Sequence, residues 1–322
     1  MPKFSIITPL YNVADYVGTA IQSVLGQDFQ DWEMILVDDG STDDSLAYVQ
    51  NIAEQDARIK VISQKNQGVA ATRNRGIAAA QGDYLLFLDP DDSYKTTLLA
   101  KLNQAIEGAA KPLDLLVFDY ESYRLEDGQR VFLEKSNYDH ALTSSGDMCW
   151  NKAYRREFWL ATGLCFPSQI ANEDTAMIPV LVALAQTWQK LDLIGYEYRR
   201  ERPGALTMHE QQAANQIHEQ LLSWRLLRSN LLAHQDKMLA QRRTIAFHGA
   251  AGSGFLLLQK AYLLANREAI EAFTHDLNQH QLYRAFWRPF NRRYLLAAIF
   301  VKLSKIKFFQ ASVLWYLGHV KH

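Results

Sequence analysis

Tyr84-Leu85-Leu86-Phe87-Leu88 runs straight into Asp89-Pro90-Asp91-Asp92. Five apolar residues in a row, bounded by polar sequence, predict a strand buried on both faces. Pro90 has no backbone donor and stops the ladder. Three carboxylates therefore stand where the strand ends. Negative charge concentrated at the rim of an apolar core is costly unless something positive sits there. A hard divalent cation, Mn2+ or Mg2+, takes carboxylate oxygens and shares them with a diphosphate. A solvated acidic turn would look the same in isolation, so the neighbours of the motif decide.

Upstream, Phe4–Ile7 reads as a short apolar strand ending at Thr8-Pro9-Leu10-Tyr11-Asn12. The helix behind it puts Val13, Tyr16, Val17, Ala20, Ile21 and Val24 on one face, with Asn12 as its N-cap. Met34–Val37 is a second strand, ending in Asp38-Asp39-Gly40-Ser41, with Ser41 or Thr42 capping the next helix. Ile59–Ile62 is a third strand, and a helix over Ala70–Ala80 leads into the acidic one. Strands alternating with helices predict an α/β fold, a doubly wound, mainly parallel, Rossmann-like sheet. Ligands of such sheets lie beyond the carboxyl ends of the strands. Here those ends carry Tyr11-Asn12, Asp38-Asp39 and Asp89/Asp91/Asp92, so the fold itself gathers them on one edge.

Downstream, Leu115–Phe118 predicts another strand, and Arg130–Leu133 its partner after the turn at Asp127-Gly128. Trp150–Trp159 reads as helical. Asn172-Glu173-Asp174 opens an apolar helix running from Thr175 to about Ala185, where acidic residues would also be explained by the helix dipole alone. From Ala213 onward the chain reads almost wholly helical.

The 322 residues, 48% of them hydrophobic, suffice for one large α/β domain with additions. The net charge of −1 hides an asymmetry: residues 281–322 hold eight basic and no acidic residues, leaving −9 on the remainder. Cys149 and Cys165 form neither a disulfide framework nor a zinc motif, which fits a reducing compartment. The longest apolar run of the tail, Leu295–Val301, is far short of the ~20 residues that span a bilayer. A cytoplasmic protein follows as the expectation. Within 284–322, Phe, Trp and Tyr alternate with the cations, which suits attachment to an anionic membrane surface on the inner face of the cytoplasmic membrane. A partner helix or a second copy of the chain in a homo-oligomer is the other reading. No nucleic-acid surface is expected, since the rest of the chain is acidic and carries no binding motif.

Four stretches occur in order: Ser5-Ile6-Ile7-Thr8-Pro9-Leu10-Tyr11-Asn12, Leu36-Val37-Asp38-Asp39-Gly40-Ser41-Thr42-Asp43, Asn66-Gln67-Gly68-Val69-Ala70-Ala71-Thr72-Arg73-Asn74 and Phe87-Leu88-Asp89-Pro90-Asp91-Asp92. Together they resemble the signature of glycosyltransferase family 2, over roughly residues 3–205, and most of all the short bacterial members that build capsule, lipopolysaccharide or other surface glycans. The resemblance implies a GT-A domain over residues 1–208 and a helical C-terminal region over 209–322. It also implies inverting, metal-dependent transfer of a hexosyl or N-acetylhexosaminyl group from a UDP-sugar to a hydroxyl of a glycan acceptor, lipid-linked or part of a surface polysaccharide.

The same resemblance assigns roles. Tyr11 stacks on the base with Pro9 beside it, Asp39 accepts the uracil imide N–H, and Arg73 sits by the nucleotide. Asp89 reaches the ribose or the metal, Asp91 holds the metal, and Asp92 orients the donor sugar. Asp38 falls to a turn role. Trp150-Asn151-Lys152 resembles a family segment on the donor-sugar or acceptor side, with a core tryptophan as the equal alternative. Tyr198–Gly204 resembles the segment that closes over the diphosphate, with Arg199 and Arg202 as phosphate partners, although Ala205 stands where the family has Ser. Asp174 matches the family's catalytic base, supported by Glu173. A single displacement requires such a carboxylate, because the acceptor hydroxyl must lose its proton as it attacks C1. Two alternatives remain: a nucleotidyltransferase, which would need a basic Gly-rich loop absent near the N-terminus, and an inactive sugar-nucleotide- or glycan-binding subunit of a polysaccharide assembly complex.

Overall fold

The computed structural model of the chain describes residues 1–136, 147–168, 170, 172–200, 213–240, 242–243, 246, 250, 257–258 and 270–275. Arg202 and the basic segment 284–322 lie outside the described residues. The chain divides into two units, Met1–Gln169 with Ala185–Ala205, and Ile170–Leu184 with Leu206–His322. A single boundary at residue 208 would assign Ile170–Leu184 to the sheet, whereas its contacts group it with the C-terminal helices.

The first unit is built on a sheet of nine described strands. β1 (Phe4–Leu10), β2 (Trp32–Asp38), β3 (Ile59–Ser63) and β4 (Tyr84–Phe87) run parallel in the order β3-β2-β1-β4. α1 (Val17–Leu25), α2 (Ser45–Ala53) and α3 (Val69–Ala79) connect them. β1, β2 and β4 are buried along their whole lengths, as continuous apolar runs require. β1 is central and yet contains Pro9. The Ile7 carbonyl accepts from Leu88 N–H on the β4 side, and the last β4 pair falls at Ile7. Two residues on, Pro9 faces the side that β4 has already left, so its missing donor breaks no bond there.

Beyond β4 the sheet becomes mixed. β5 (Ser93–Tyr94), β6 (Leu115–Glu126), β7 (Gln129–Lys135), β8 (Lys152–Arg155) and β9 (Trp188–Arg199) complete it. β8 is antiparallel to both β4 and β6, β9 is parallel to β6, β5 is antiparallel to β9, and β7 pairs β6. α4 (Leu98–Gly108) and α5 (Arg156–Thr162) belong to the same unit. The helix expected over Trp150–Trp159 begins only at Arg156, because Lys152–Arg155 fill the gap between β4 and β6, and pairing on both sides outweighs local propensity. α1 begins at Val17 rather than directly after Asn12, and α2 begins at Ser45, so Asn12, Ser41 and Thr42 are not their caps. They have another task, described below.

The end of the sheet opposite the acidic motifs is closed by Glu33. Its carboxylate is buried and accepts from Ser5 Oγ (2.6 Å), Gln81 N–H (2.6 Å) and Lys60 Nζ (2.7 Å). Burial works to raise this carboxyl, but those bonds and the Lys60 charge outweigh it and hold Glu33 below the usual carboxylate range. Gly82 N–H joins the group through Ser5 Oγ at 2.8 Å, and a Cβ on Gly82 would lie 2.7 Å from the Phe4 and Ser5 backbone. Only glycine permits that approach.

In the second unit, α6 (Glu173–Leu184) is buried nearly all round, with Ala176, Met177, Ile178, Val180 and Leu181 inaccessible. α7 (Ala213–His234) turns Ile217, Leu221, Trp224, Leu227 and Leu231 inward, the 3–4 spacing of one apolar face. Pro179 takes one donor out of α6, and in the preceding turn Asn230 Nδ2 donates to the Ala176 carbonyl at 3.2 Å. Among the described residues no helix is long and apolar enough to cross a membrane.

Candidate active site

The carboxyl ends of β1 and β2 are joined by side chains that the local sequence assigned to helix caps. Asn12 adopts a left-handed φ of 51°, which asparagine tolerates better than most residues. From there its Oδ1 accepts from Thr42 N–H at 2.8 Å. In return Asn12 N–H donates to Ser41 Oγ (3.1 Å), Val13 N–H to Ser45 Oγ (2.8 Å) and Ala14 N–H to Asp43 Oδ2 (3.1 Å). The two loops thus form one rim, from which Tyr11 projects with 49% of its surface exposed, while Pro9 is buried below it.

Asp38 folds back on its own turn, accepting from Gly40 and Ser41 N–H at 3.2 Å each, the role expected of it. Asp39 is 3% exposed and reaches across to the start of α3. Its Oδ1 accepts from Gln64 Nε2 (2.8 Å) and Gln67 N–H (2.9 Å), and its Oδ2 from Gly68 N–H (2.8 Å). It thereby serves the unsatisfied donors and positive dipole end of that helix. A carboxylate offers about four lone-pair sites. One on Oδ2 is left beyond these three bonds. Gln64 was not singled out from the sequence, because a glutamine after a strand carries no motif.

The organising turn follows β4. Arg73 on α3 is buried, and its Nη2 donates to Asp89 Oδ1 at 2.9 Å, with the guanidinium over the Phe166 ring at 5.4 Å. Asp91 is half-buried. Asp92 is wholly buried and accepts from Tyr196 Oη and Arg199 N–H at 2.7 Å each. Burial, then the charges of Asp91 and Asp89, push the Asp92 carboxyl well above its ordinary range, against the pull of those two bonds. Three acidic side chains are therefore within electrostatic reach of one another. Among the described residues no group of three His, Cys, Asp or Glu side chains forms a ready-made cation site. The donor set fits a cation of another kind, one held by one or two carboxylates and completed by phosphate oxygens and water.

A wall of aromatic rings stands beside the turn. Trp150 stacks on Tyr196 (4.3 Å between centroids, 21°) and on Tyr198 (5.5 Å, 24°), and Tyr120 meets it edge-on at 4.9 Å. Trp150 is nearly buried, whereas Tyr120 and Tyr198 are half-exposed. Asn151 is fully buried, and its Oδ1 takes Lys152 Nζ at 2.7 Å, so its amide is engaged inside the protein. Lys152, also fully buried, donates in addition to the Met148 carbonyl at 2.9 Å. Arg199 places its guanidinium 4.9 Å from the Tyr16 ring. Tyr196 and Tyr120 were missed as site residues in the sequence, and Tyr198 entered only as the first residue of the segment Tyr198–Gly204; the alternation Tyr196-Glu197-Tyr198 was the trace of the wall. An open groove of about 460 Å3 between α4 and β9 has none of these residues in its lining.

Glu173 and Asp174 form the first turn of α6 in the second unit, Glu173 buried and Asp174 half-buried. Asn172, just before them, has a left-handed φ of 59°.

The sequence model of Glycosyl transferase family 2 matches residues 5–159, which hold Pro9, Tyr11, Asp39, Arg73, Asp89, Asp91, Asp92, Trp150 and Asn151. The chain carries a glycosyl transferase family 2 domain. Among its relatives is the uncharacterized glycosyltransferase EpsJ of Bacillus subtilis, 31% identical over 223 residues, 64% of this chain and 63% of that one. Another is the GalNAc(5)-diNAcBac-PP-undecaprenol beta-1,3-glucosyltransferase of Campylobacter jejuni, 42% identical over 113 residues, 34% of this chain and 37% of that one. The chain thus spans less than two thirds of the length of either. The crystal structure of S. aureus TarS 1-349 in complex with UDP-GlcNAc is similar at a TM-score of 0.67 and 20% identity, over 96% of this chain and 89% of that one. The family 2 domain therefore has the GT-A fold that its motifs implied, with parallel pairing concentrated around the strand-end residues.

Proposed function

We propose that the chain transfers a sugar from a UDP-sugar to a hydroxyl of a glycan acceptor, with inversion at the anomeric carbon. One observation carries this reading: Tyr11, Asp39, the Arg73–Asp89 pair and Asp91 all follow the carboxyl ends of parallel strands or the helix between them. That edge is where the sheet order β3-β2-β1-β4 has its switch point, between β1 and β4. The exposed Tyr11 ring offers the base a stacking face, and the remaining Asp39 lone pair offers the uracil imide an acceptor. Asp91, with Asp89, would hold a divalent cation, Mn2+ or Mg2+, which when bound compensates charge on the diphosphate. Arg199 and Arg202 serve as further phosphate partners. Trp150, flanked by Tyr120 and Tyr198, backs the donor sugar, with Asp92 and Asn151 acting from behind the surface. Asp174 takes the proton of the acceptor hydroxyl as its oxygen attacks, and Glu173 supports it.

The relatives support the substrate classes. One neighbour was solved with UDP-GlcNAc, and one relative's name specifies an undecaprenol-linked acceptor. A lipid-linked acceptor suits peripheral attachment to an anionic membrane through residues 284–322.

The test is UDP release from a panel of UDP-sugars with Mn2+, comparing wild type, Asp91→Ala and Asp174→Asn. One sugar is expected to be cleaved by wild type and spared by Asp91→Ala. With acceptor present, Asp174→Asn is expected to turn over about 10²- to 10⁴-fold more slowly while binding UDP as before. UDP binding without cleavage of any sugar would leave the inactive binding subunit as the reading.

A further inference from the structure

We propose that Tyr196 is a positioning residue for the cation-binding turn, its single hydroxyl closing Asp89-Pro90-Asp91-Asp92 from both ends. The proposal rests on the reading of Asp91 and Asp89 as the cation's ligands. Asp89 N–H donates to Tyr196 Oη at 3.2 Å, and the same hydroxyl donates to Asp92 Oδ2 at 2.7 Å. Asp91, between those two attachment points, takes its direction from a turn that cannot open without breaking one of them. The turn is anchored in this way to β9, over a hundred residues away in the chain, rather than to the strand it continues.

The surroundings leave the hydroxyl no freedom. Tyr196 is fully buried, sandwiched by the stacked Trp150 ring at 4.3 Å and the edge of Tyr94 at 5.7 Å. Tyr94 in turn donates to the Phe87 carbonyl at 2.8 Å, and the β5 ladder pairs Tyr94 with Tyr196 itself. Arg199 N–H holds the other Asp92 oxygen. Removal of the hydroxyl would strip Asp89 N–H of its acceptor and leave a buried carboxylate with one donor fewer beside two like charges. The ring packing would survive, because phenylalanine fills the same slot. A residue that orients a metal ligand without touching the metal changes affinity by about 10- to 100-fold when lost.

The experiment is calorimetric titration of Mn2+ into the full chain saturated with UDP, for wild type and Tyr196→Phe. Tyr196→Phe is expected to weaken apparent Mn2+ affinity by about 10- to 100-fold and to leave UDP binding without metal within about twofold. A merely structural tyrosine would lower the melting temperature and leave Mn2+ affinity as in wild type, and that result overturns the proposal. Asp92→Asn is expected to weaken Mn2+ as well, and the double variant to be no weaker than the weaker single one, since both act through one bond. Additive losses overturn the proposal too. Should Tyr196→Phe fail to fold, Asp92→Asn decides alone: unchanged Mn2+ affinity there removes the link between the buried carboxylate and the cation. Wild type without any Mn2+-dependent UDP binding brings down the cation assignment itself, and the positioning role with it.

Discussion

Asp39 shows how a single carboxylate is committed twice. Three protein donors fix it against the start of α3, and the proposed contact with uracil uses what is left. Asp39→Asn would turn an amide N–H2 toward backbone donors and forfeit at least one bond. The expected cost is about 1–3 kcal/mol of stability in the ligand-free protein, read as a lower urea midpoint, together with weaker UDP binding. If only UDP binding changed, the carboxylate would have no structural duty. The sequence shows that an acidic residue follows β2, since Val37-Asp38-Asp39-Gly40 has no other reading at a strand end. It does not show which aspartate turns back and which reaches across. That depends on the left-handed Gly40, φ 75°, and on Gln64 and Gly68 arriving from a later loop.

At the scale of elements, the parallel half of the sheet was legible, and so was the hairpin of β6 and β7 around Asp127-Gly128, but the rest of the mixed half was not. β1, β2 and β4 are mainly apolar runs ending in polar motifs, and burial on both faces writes that pattern directly, while β3 is the partly exposed edge strand. β8 is four residues long and includes a buried lysine, and β5 is two residues long, so neither leaves a periodic trace. β9 has length enough, but its register against β6 shifts between Val117 and Tyr120, and Gly195 interrupts its apolar pattern. A Cβ at Gly195 would come 2.5 Å from Leu98 Cδ1 and 2.8 Å from Phe118 Cδ2, so close packing, not a turn, placed it there. The opposite end of the sheet yields a pH prediction. Glu33 titrates below the usual range when folded, so its network stabilises fully above the unfolded pKa and less as pH falls through the folded one. Glu33→Gln is expected to be less stable than wild type at neutral pH, with the gap closing below about pH 5. Urea midpoints measured across that range check it, and a gap that stays constant would mean that the bonds do not depend on the charge.

At the scale of the whole molecule, the sequence places its charge asymmetrically, and the proposed membrane attachment belongs to that scale. Deleting residues 284–322 is expected to abolish sedimentation with anionic vesicles, weakest at high salt in the intact chain, and to spare UDP binding. Vesicle binding that survives the deletion would assign the tail to a partner instead. The division into units has a different consequence. The chain leaves the first unit at Ile170, builds α6, and returns at Ala185 to lay down β9 against β6. During synthesis, β6 is therefore finished about sixty residues before β9, the strand on its other edge from β7 and β8, exists. At roughly 5–20 residues per second, that is several seconds in which a long, apolar strand edge waits uncovered on the ribosome. The nascent chain is thus most open to mispairing just before Tyr196, whose hydroxyl bonds both Asp89 N–H and Asp92, has been made.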